Sequence, residues 1–305
     1  MSEPLPSEPT SPAATAKPQI IYVMGSGHSG STILGVTLGN CSNVIYAGEL
    51  DNWLTRSGVS VLGGVERTRF WKSIREKVND ESLFGGDAQL YLERSSALLR
   101  LGKLGFKRRL RARYRRVTED LYRAVAQTAG VTHVVDTSHF PLRARELQSL
   151  EGIDLYLIFL VREPQAVVAS FIRYVKRNEI AQRGFFILST NFDLWLTNLL
   201  ATIVFLRHPR ERRMFLRHED FLADPERELR RILDLAHSAA AIPDLSELST
   251  GFPIQGNRLI RSEVVALKRR RPAHERTSRL TEAMQLPWTA LFRRLQANEE
   301  ARWPR

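Results

Sequence analysis

The chain has 305 residues, 43% of them hydrophobic and 26% charged, an ordinary balance for a protein able to bury a continuous core, so disorder is expected only at its ends. Its formal net charge of +12 favours anionic partners of some kind. One cysteine, Cys41, excludes an internal disulfide and a thiolate metal cluster, and points to a reducing, cytoplasmic setting.

Residues 1–18, rich in Pro, Ser, Thr and Ala and without an apolar run, read as a disordered leader rather than a signal peptide. Residues 19–305 are then expected to form one α/β domain, doubly wound around a mostly parallel sheet. Gln19–Met24 reads as its first strand, and a helix is predicted from Ser31. Between them lies Gly25-Ser26-Gly27-His28-Ser29-Gly30-Ser31-Thr32. The spacing of Gly25, Gly30, Ser31 and Thr32 matches a phosphate loop, in which backbone N–H groups turn inward around the anion and the helix start adds its positive dipole end. Ser31 stands where a nucleotidase needs a lysine to reach the β- and γ-phosphates, so the loop suits a donor without a terminal phosphate chain.

Asn43–Ala47 reads as the second strand, and Glu49 follows it in Tyr46-Ala47-Gly48-Glu49-Leu50, a position that lies beside the phosphate loop in a doubly wound sheet. Residues 50–130 exceed any simple crossover and read as a helical insertion forming the acceptor side. Gly58, Gly63-Gly64 and Gly85-Gly86 break it into loops, with Ala88–Leu99 and Lys107–Thr128 helical. Within it, Lys103–Arg116 holds eight Lys or Arg and no acid. Three readings of that run stay open: a solvated basic face, a grip on RNA or acidic lipid, and a hold on an anionic or lipid-linked acceptor. It lacks a recognised RNA motif and offers one tyrosine for stacking, so nucleic acid is not expected.

Thr132–Asp136 reads as the third strand, ending in Asp136-Thr137-Ser138-His139, where Asp and Ser suit the cap of a following helix. Leu155–Val161 is apolar on both faces, as a central parallel strand requires, and Glu163-Pro164 opens a helix with body Gln165–Asn178. Arg162, leaving that strand, supplies a charged fork for phosphate, and Ser170 two turns on offers a hydroxyl near it. The longest apolar stretch, Leu194–Leu206, carries Thr197, Asn198 and Thr202 and is about half of a bilayer crossing. It reads as a buried helix; no transmembrane segment is expected, while peripheral membrane contact stays open. The Phe185–Leu206 region is either core or a subunit contact, which leaves the oligomeric state open. Arg213–Arg217 is the fifth predicted strand, and a second basic cluster occupies Lys268–Arg271. Seven histidines are scattered without metal-ligand spacing, so no metal is expected.

Three segments together resemble the sulfotransferase family that uses 3′-phosphoadenosine 5′-phosphosulfate (PAPS). Gly27-His28-Ser29-Gly30-Ser31-Thr32 is similar to its 5′-phosphosulfate loop. Leu160-Val161-Arg162-Glu163-Pro164 with Ser170 resembles its 3′-phosphate segment. Arg217-His218-Glu219-Asp220-Phe221 with Asp224-Pro225 resembles its Arg-Tyr-Glu-Asp-Leu stretch, with His218 at the tyrosine position near the nucleotide. In order and separation the likeness spans roughly residues 19–260.

The resemblance implies a P-loop-like fold, PAPS as donor, PAP as product and a hydroxyl-bearing acceptor of unidentified class. It implies that Gly27, His28, Ser29, Gly30, Ser31 and Thr32 hold the 5′-phosphosulfate while Arg162 and Ser170 hold the 3′-phosphate. Glu49 resembles the catalytic glutamate of the protein-tyrosine branch, a carboxylate able to take the acceptor proton. His28 replaces the usual basic loop residue. Either its imidazole donates to the bridging oxygen, charged if the anion raises its pKa, or it fills the loop while backbone amides bind. Asp136-Thr137-Ser138-His139 resembles a bacterial Asp-Ser-Ser-Lys stretch, with His139 placed to contact the sulfonate or orient the acceptor. Gly256-Asn257-Arg258 is similar to a late element that folds over the nucleotide.

Two other classes compete. A P-loop kinase-like phosphotransferase must explain away the missing loop lysine and the lack of an obvious Mg²⁺-binding acid after a strand. A non-catalytic basic protein binding RNA or acidic lipid would rest on Arg108–Arg116.

Overall fold

A computed structural model describes residues 17–78, 85–99, 104–177, 183–267 and 279–303. The leader up to residue 16, Lys103, Asn178 and the Lys268–Arg271 cluster lie outside the described residues. The chain runs β1 (Gln19–Gly25), α1 (Ser31–Gly39), β2 (Val44–Gly48), α2 (Asp51–Thr55), α3 (Val65–Lys77), α4 (Leu104–Ala129), β3 (His133–His139), α5 (Pro141–Leu147), β4 (Asp154–Val161), α6 (Pro164–Arg177), α7 (Arg183–Arg207), β5 (Arg213–Arg217), α8 (His218–Ala223), α9 (Pro225–Leu235), β6 (Leu248–Ser249), β7 (Val264–Val265) and α10 (Arg279–Arg302).

The five main strands pair in parallel in the order β2-β3-β1-β4-β5, and β6 and β7 form a small antiparallel ribbon. Strand alternation divides the core between the two faces of the sheet. Ile20, Tyr22 and Met24 of β1 pack with α4, α5, α7 and α10. Ile21 and Val23 pack with Leu34 and Val36 of α1 and Leu229 and Ile232 of α9. Helices therefore cover both faces, and the β1–α1 loop opens at the carboxyl edge of the sheet, where β2, β3 and β4 also end.

The insertion departs from expectation in two ways. Helix α3 was not anticipated, because its one buried stripe is short, with Trp71 and Ile74 turned inward. The predicted helix Ala88–Leu99 is instead a π turn, Gln89–Glu93, followed by a 3₁₀ turn, Ser95–Leu99. Arg94 separates them in an extended conformation, ψ 153°. The break lets Glu93 point inward to Arg143, whose guanidinium lies fully inside the protein. That guanidinium also reaches Asp136 Oδ2 at 3.1 Å and the Tyr114 hydroxyl at 2.8 Å, while Tyr122 donates to Asp136 Oδ2 at 2.6 Å. A buried cation is tolerable only with such partners, so this network fastens the insertion and α4 to the end of β3.

The apolar stretch of α7 is also longer than Leu194–Leu206. Its residues Ile187–Arg207 are, by length and composition, long and apolar enough to cross a membrane. It is not the buried helix expected: only a third of that apolar window is inside the protein, and Leu188, Phe192, Ile203 and Leu206 are exposed, while its polar residues tie one face to the domain. Asn191 and Asn198 are buried, Asn191 Nδ2 donates to Thr281 Oγ1 of α10 at 3.0 Å, and Gln285 Nε2 donates to the Asn191 carbonyl at 3.0 Å.

Candidate active site

The loop after β1 reaches its shape through two left-handed residues, His28 at φ 65° and Gly30 at φ 95°. Such a turn points successive amides to one side, and at α1 the N-cap Gly30 has no side chain to cap the first-turn N–H groups. Glycine is required at position 30 on a second count, since a Cβ there would overlap the His218 imidazole. The His218 imidazole therefore packs against the loop at Gly30. Burial, then Arg162, pushes that imidazole down to about 4, and its Nδ1 has no hydrogen-bond partner among the described residues. The buried Ser29 hydroxyl is likewise without a partner. An uncapped helix start with two orphaned polar atoms beside it fits an anionic ligand.

The end of β4 meets the same loop. Arg162 Nη1 donates to the His28 carbonyl at 3.2 Å, and Ser170 Oγ lies 3.2 Å from His28 Nδ1. Phe171 meets the His28 ring edge-on, with centroids 5.8 Å apart. Burial, Arg162 and Arg173 hold His28 below the ordinary imidazole range, so without a ligand it is neutral at pH 7. Beside it, Glu219 accepts from the Glu163 amide at 2.8 Å, tying the ends of β4 and β5 together.

Glu49 follows Gly48, whose φ of 83° admits only glycine comfortably because a Cβ would overlap the Gln255 carbonyl. Burial, with repulsion from Asp136, raises the Glu49 carboxyl to about 7. Its Oε2 receives only a long contact, 3.5 Å, from Gln255 Nε2. Tyr46 links this corner to the loop: its hydroxyl lies 3.2 Å from Thr137 Oγ1, and Thr32 of α1 acts on the same hydroxyl.

The segment holding Gly256, Asn257 and Arg258 covers the end of β2. Ile254 N donates to the Ala47 carbonyl and Glu49 N to the Gln255 carbonyl, both at 2.9 Å. Asn257 Oδ1 caps a 3₁₀ turn by accepting from Leu259 N at 3.1 Å, and Arg258 is exposed.

A cavity of about 430 Å³ opens against the first half of the loop, Gly25 to His28. Its other walls are His139, Phe140 and Pro141 at the end of β3, Val167 and Phe171 of α6, and a face of α7 carrying Thr190, Asp193 and Thr197. His139 holds a positive φ of 56°, and burial lowers its imidazole to about 4. Glu49 is not among the lining residues. Sequence reading missed the α7 wall. Its signal was Asp193, the one charged side chain between Gly184 and Leu206.

Asp136 and Ser138 do not cap the following helix, as their residue types suggested: the N-cap of α5 is Phe140, which offers no side-chain cap. Asp136 Oδ1 accepts from the Ser138 amide at 2.8 Å, and Ser138 Oγ accepts from the Asp51 amide at 3.0 Å, which fixes the start of α2 directly after Glu49. With its other oxygen held by Arg143 and Tyr122, this strand-end carboxylate is committed to structure. No three His, Cys, Asp or Glu side chains are grouped as a metal site among the described residues. In the basic run, Arg111 forks onto Glu146 at 2.7 and 3.1 Å and Lys107 donates to the Ala97 carbonyl, while Arg108, Arg109 and Arg116 are exposed.

Comparison with known proteins agrees with this geometry. Residues 18–239 match the model of a family described as "Sulfotransferase family". Among solved structures, the sulfotransferase domain from the curacin biosynthetic pathway superposes with a TM-score of 0.51 at 16% identity, over 89% of this chain and 98% of that one. The sulfotransferase domain from the Synechococcus PCC 7002 olefin synthase gives 0.53 at 15% identity, over 93% and 98%. Both likenesses concern the fold. Among curated proteins none matches the chain.

Proposed function

This chain belongs to the sulfotransferase family, and from that premise we propose that it transfers the sulfonate group of PAPS to a hydroxyl of an acceptor held in the cavity beside Gly25–His28. The observation that carries the donor assignment is the meeting of Arg162 and Ser170 with the phosphate loop at His28. A cationic fork and a hydroxyl at one mouth, facing a helix start across the loop, suit a nucleotide with anions at both its 5′ and 3′ positions.

In this reading the loop amides with Ser29, Ser31 and Thr32 surround the 5′ end, His28 faces the bridging oxygen, and Arg162 and Ser170 take the 3′-phosphate. His218 lies beside the nucleotide, with Gly256, Asn257 and Arg258 as its cover. The acceptor oxygen forms a bond to sulfur as the bond from sulfur to the 5′-phosphate oxygen breaks, and PAP departs. Glu49, whose carboxyl near 7 makes it a stronger base than His139, near 4, takes the acceptor proton once the hydroxyl projects past the cavity lining, while His139 orients that hydroxyl from the wall. A phosphotransferase would instead use a strand-end acid to hold Mg²⁺, and Asp136 is already engaged by Arg143, Tyr122 and Ser138.

The test is transfer from PAPS compared with transfer from ATP and Mg²⁺ over one mixed panel of hydroxyl acceptors. Sulfonated product from PAPS is expected; phosphorylated product from ATP with none from PAPS rejects the proposal.

A further inference from the structure

The acceptor cavity is electrostatically lopsided. Gly25 to His28 form the loop side of its lining, and Arg162 donates to the His28 carbonyl from outside it. Helix α7 contributes Thr190, Asp193 and Thr197 to the lining, three to four residues apart and so on one helical face. The lining also has an apolar part, with Phe140, Phe171 and Leu194. Asp193 is exposed to the open cavity and has no ion-pair or hydrogen-bond partner among the described residues, and partial desolvation raises its carboxyl above the ordinary range. The Thr190 hydroxyl next to it is buried and also without a partner. The orphaned Thr190 hydroxyl is costly unless a ligand supplies a partner, and the Asp193 carboxylate beside it presents a negative charge without a counter-ion to whatever enters the cavity.

We propose that Asp193 is a specificity-determining residue, which selects acceptors carrying a protonated amine at the end remote from the hydroxyl to be sulfonated. The inference rests on the cavity being the acceptor pocket, as argued above. The ammonium group sits against Asp193 with Thr190 accepting one of its hydrogens, the apolar body lies along Phe140, Phe171 and Leu194, and the hydroxyl reaches His139 and the loop. The same carboxylate repels an acceptor that is anionic at that end, which narrows the classes left open by composition.

Three alcohols of matched length, aminohexanol, heptanol and hydroxyhexanoate, are titrated calorimetrically into the full chain, with and without saturating PAP. The expected order is the ammonium alcohol first, about tenfold tighter than the neutral one, with the carboxylate weakest. Asp193→Asn erases the order and Asp193→Glu keeps it, each variant checked by its thermal melt, and Thr190→Val reduces the ammonium preference. Equal affinities, preference for the carboxylate, an order that survives Asp193→Asn, or no saturable binding of any of the three overturns the proposal. The donor reading fails separately: PAP without affinity but an intact ammonium preference removes the donor assignment and keeps Asp193. PAP binding with no such preference does the reverse.

Discussion

Arg162 and His28, 134 residues apart in sequence, are joined by one hydrogen bond from guanidinium to loop carbonyl, so the residue proposed to select the 3′-phosphate rests on the loop proposed to hold the 5′ end. The bond uses one nitrogen of the fork and leaves donors for a ligand. Arg162→Gln is expected to weaken PAP binding by about tenfold to a hundredfold, the worth of a charge-assisted pair, while AMP affinity stays nearly level. Ser170→Ala should cost PAP about fivefold. Titration calorimetry with both nucleotides checks both numbers; equal losses for AMP and PAP would place Arg162 in loop support alone.

Gly30 and His218 give a steric prediction. Gly30→Ala puts a methyl group into the imidazole at a φ of 95°, so the variant should melt lower, with a backbone cost of about 1–2 kcal/mol before any clash, and should lose nucleotide binding. Pairing it with His218→Ala removes the collision and keeps the strain, so the double variant should recover part of the melting temperature. Additive losses in the double variant would mean that the two residues do not touch.

Glu49 links activity and stability with opposite signs. Its carboxyl lies near 7 in the folded chain against 4.5 ordinarily, so the native state holds the proton more tightly than the unfolded one. That contribution is full below about pH 4.5 and is lost as pH rises through about 7. Glu49→Gln should therefore melt above wild type beyond pH 7 and converge with it in acid. Its kcat should fall by about 10²–10⁴, and the wild-type rate should climb with pH to a plateau above 7. If His139→Asn, and not Glu49→Gln, abolishes the acid limb, the base is His139.

Arg143 supports the site from beneath. Arg143→Met leaves Glu93 and Asp136 as buried carboxylates without their counter-cation and should cost about 3–5 kcal/mol, read by denaturant unfolding. Loosening of α2 and Glu49 should follow, because Asp136 and Ser138 anchor the start of that helix. A change within experimental scatter would mean that the network is not closed as described.

The parallel sheet was legible because each strand is an apolar, β-rich run in a fixed alternation with helices, and the five predicted strands match the observed ones to within three residues at either end. The loop and Arg162 were legible because their chemistry is local: glycine spacing, and a cation where a strand ends. The cavity was not, because it is assembled from five separate segments, Ser95 of the insertion included, and no local pattern says that the Asp193 face of α7 shares a cavity with His139. The Arg143 network was hidden for the same reason: Glu93 and Asp136 lie 43 residues apart, and only the break at Arg94 brings them to one guanidinium. Asp136 misled because a strand-end acid suits a helix cap, and here tertiary pairing took it.

The most direct measurement is calorimetric titration of the full chain with PAP, AMP and ATP under identical salt, wild type beside Arg162→Gln. Selective PAP binding that collapses toward the AMP value in the variant is the predicted result. Tighter binding of ATP than of PAP, or PAP affinity indifferent to Arg162, would contradict the account.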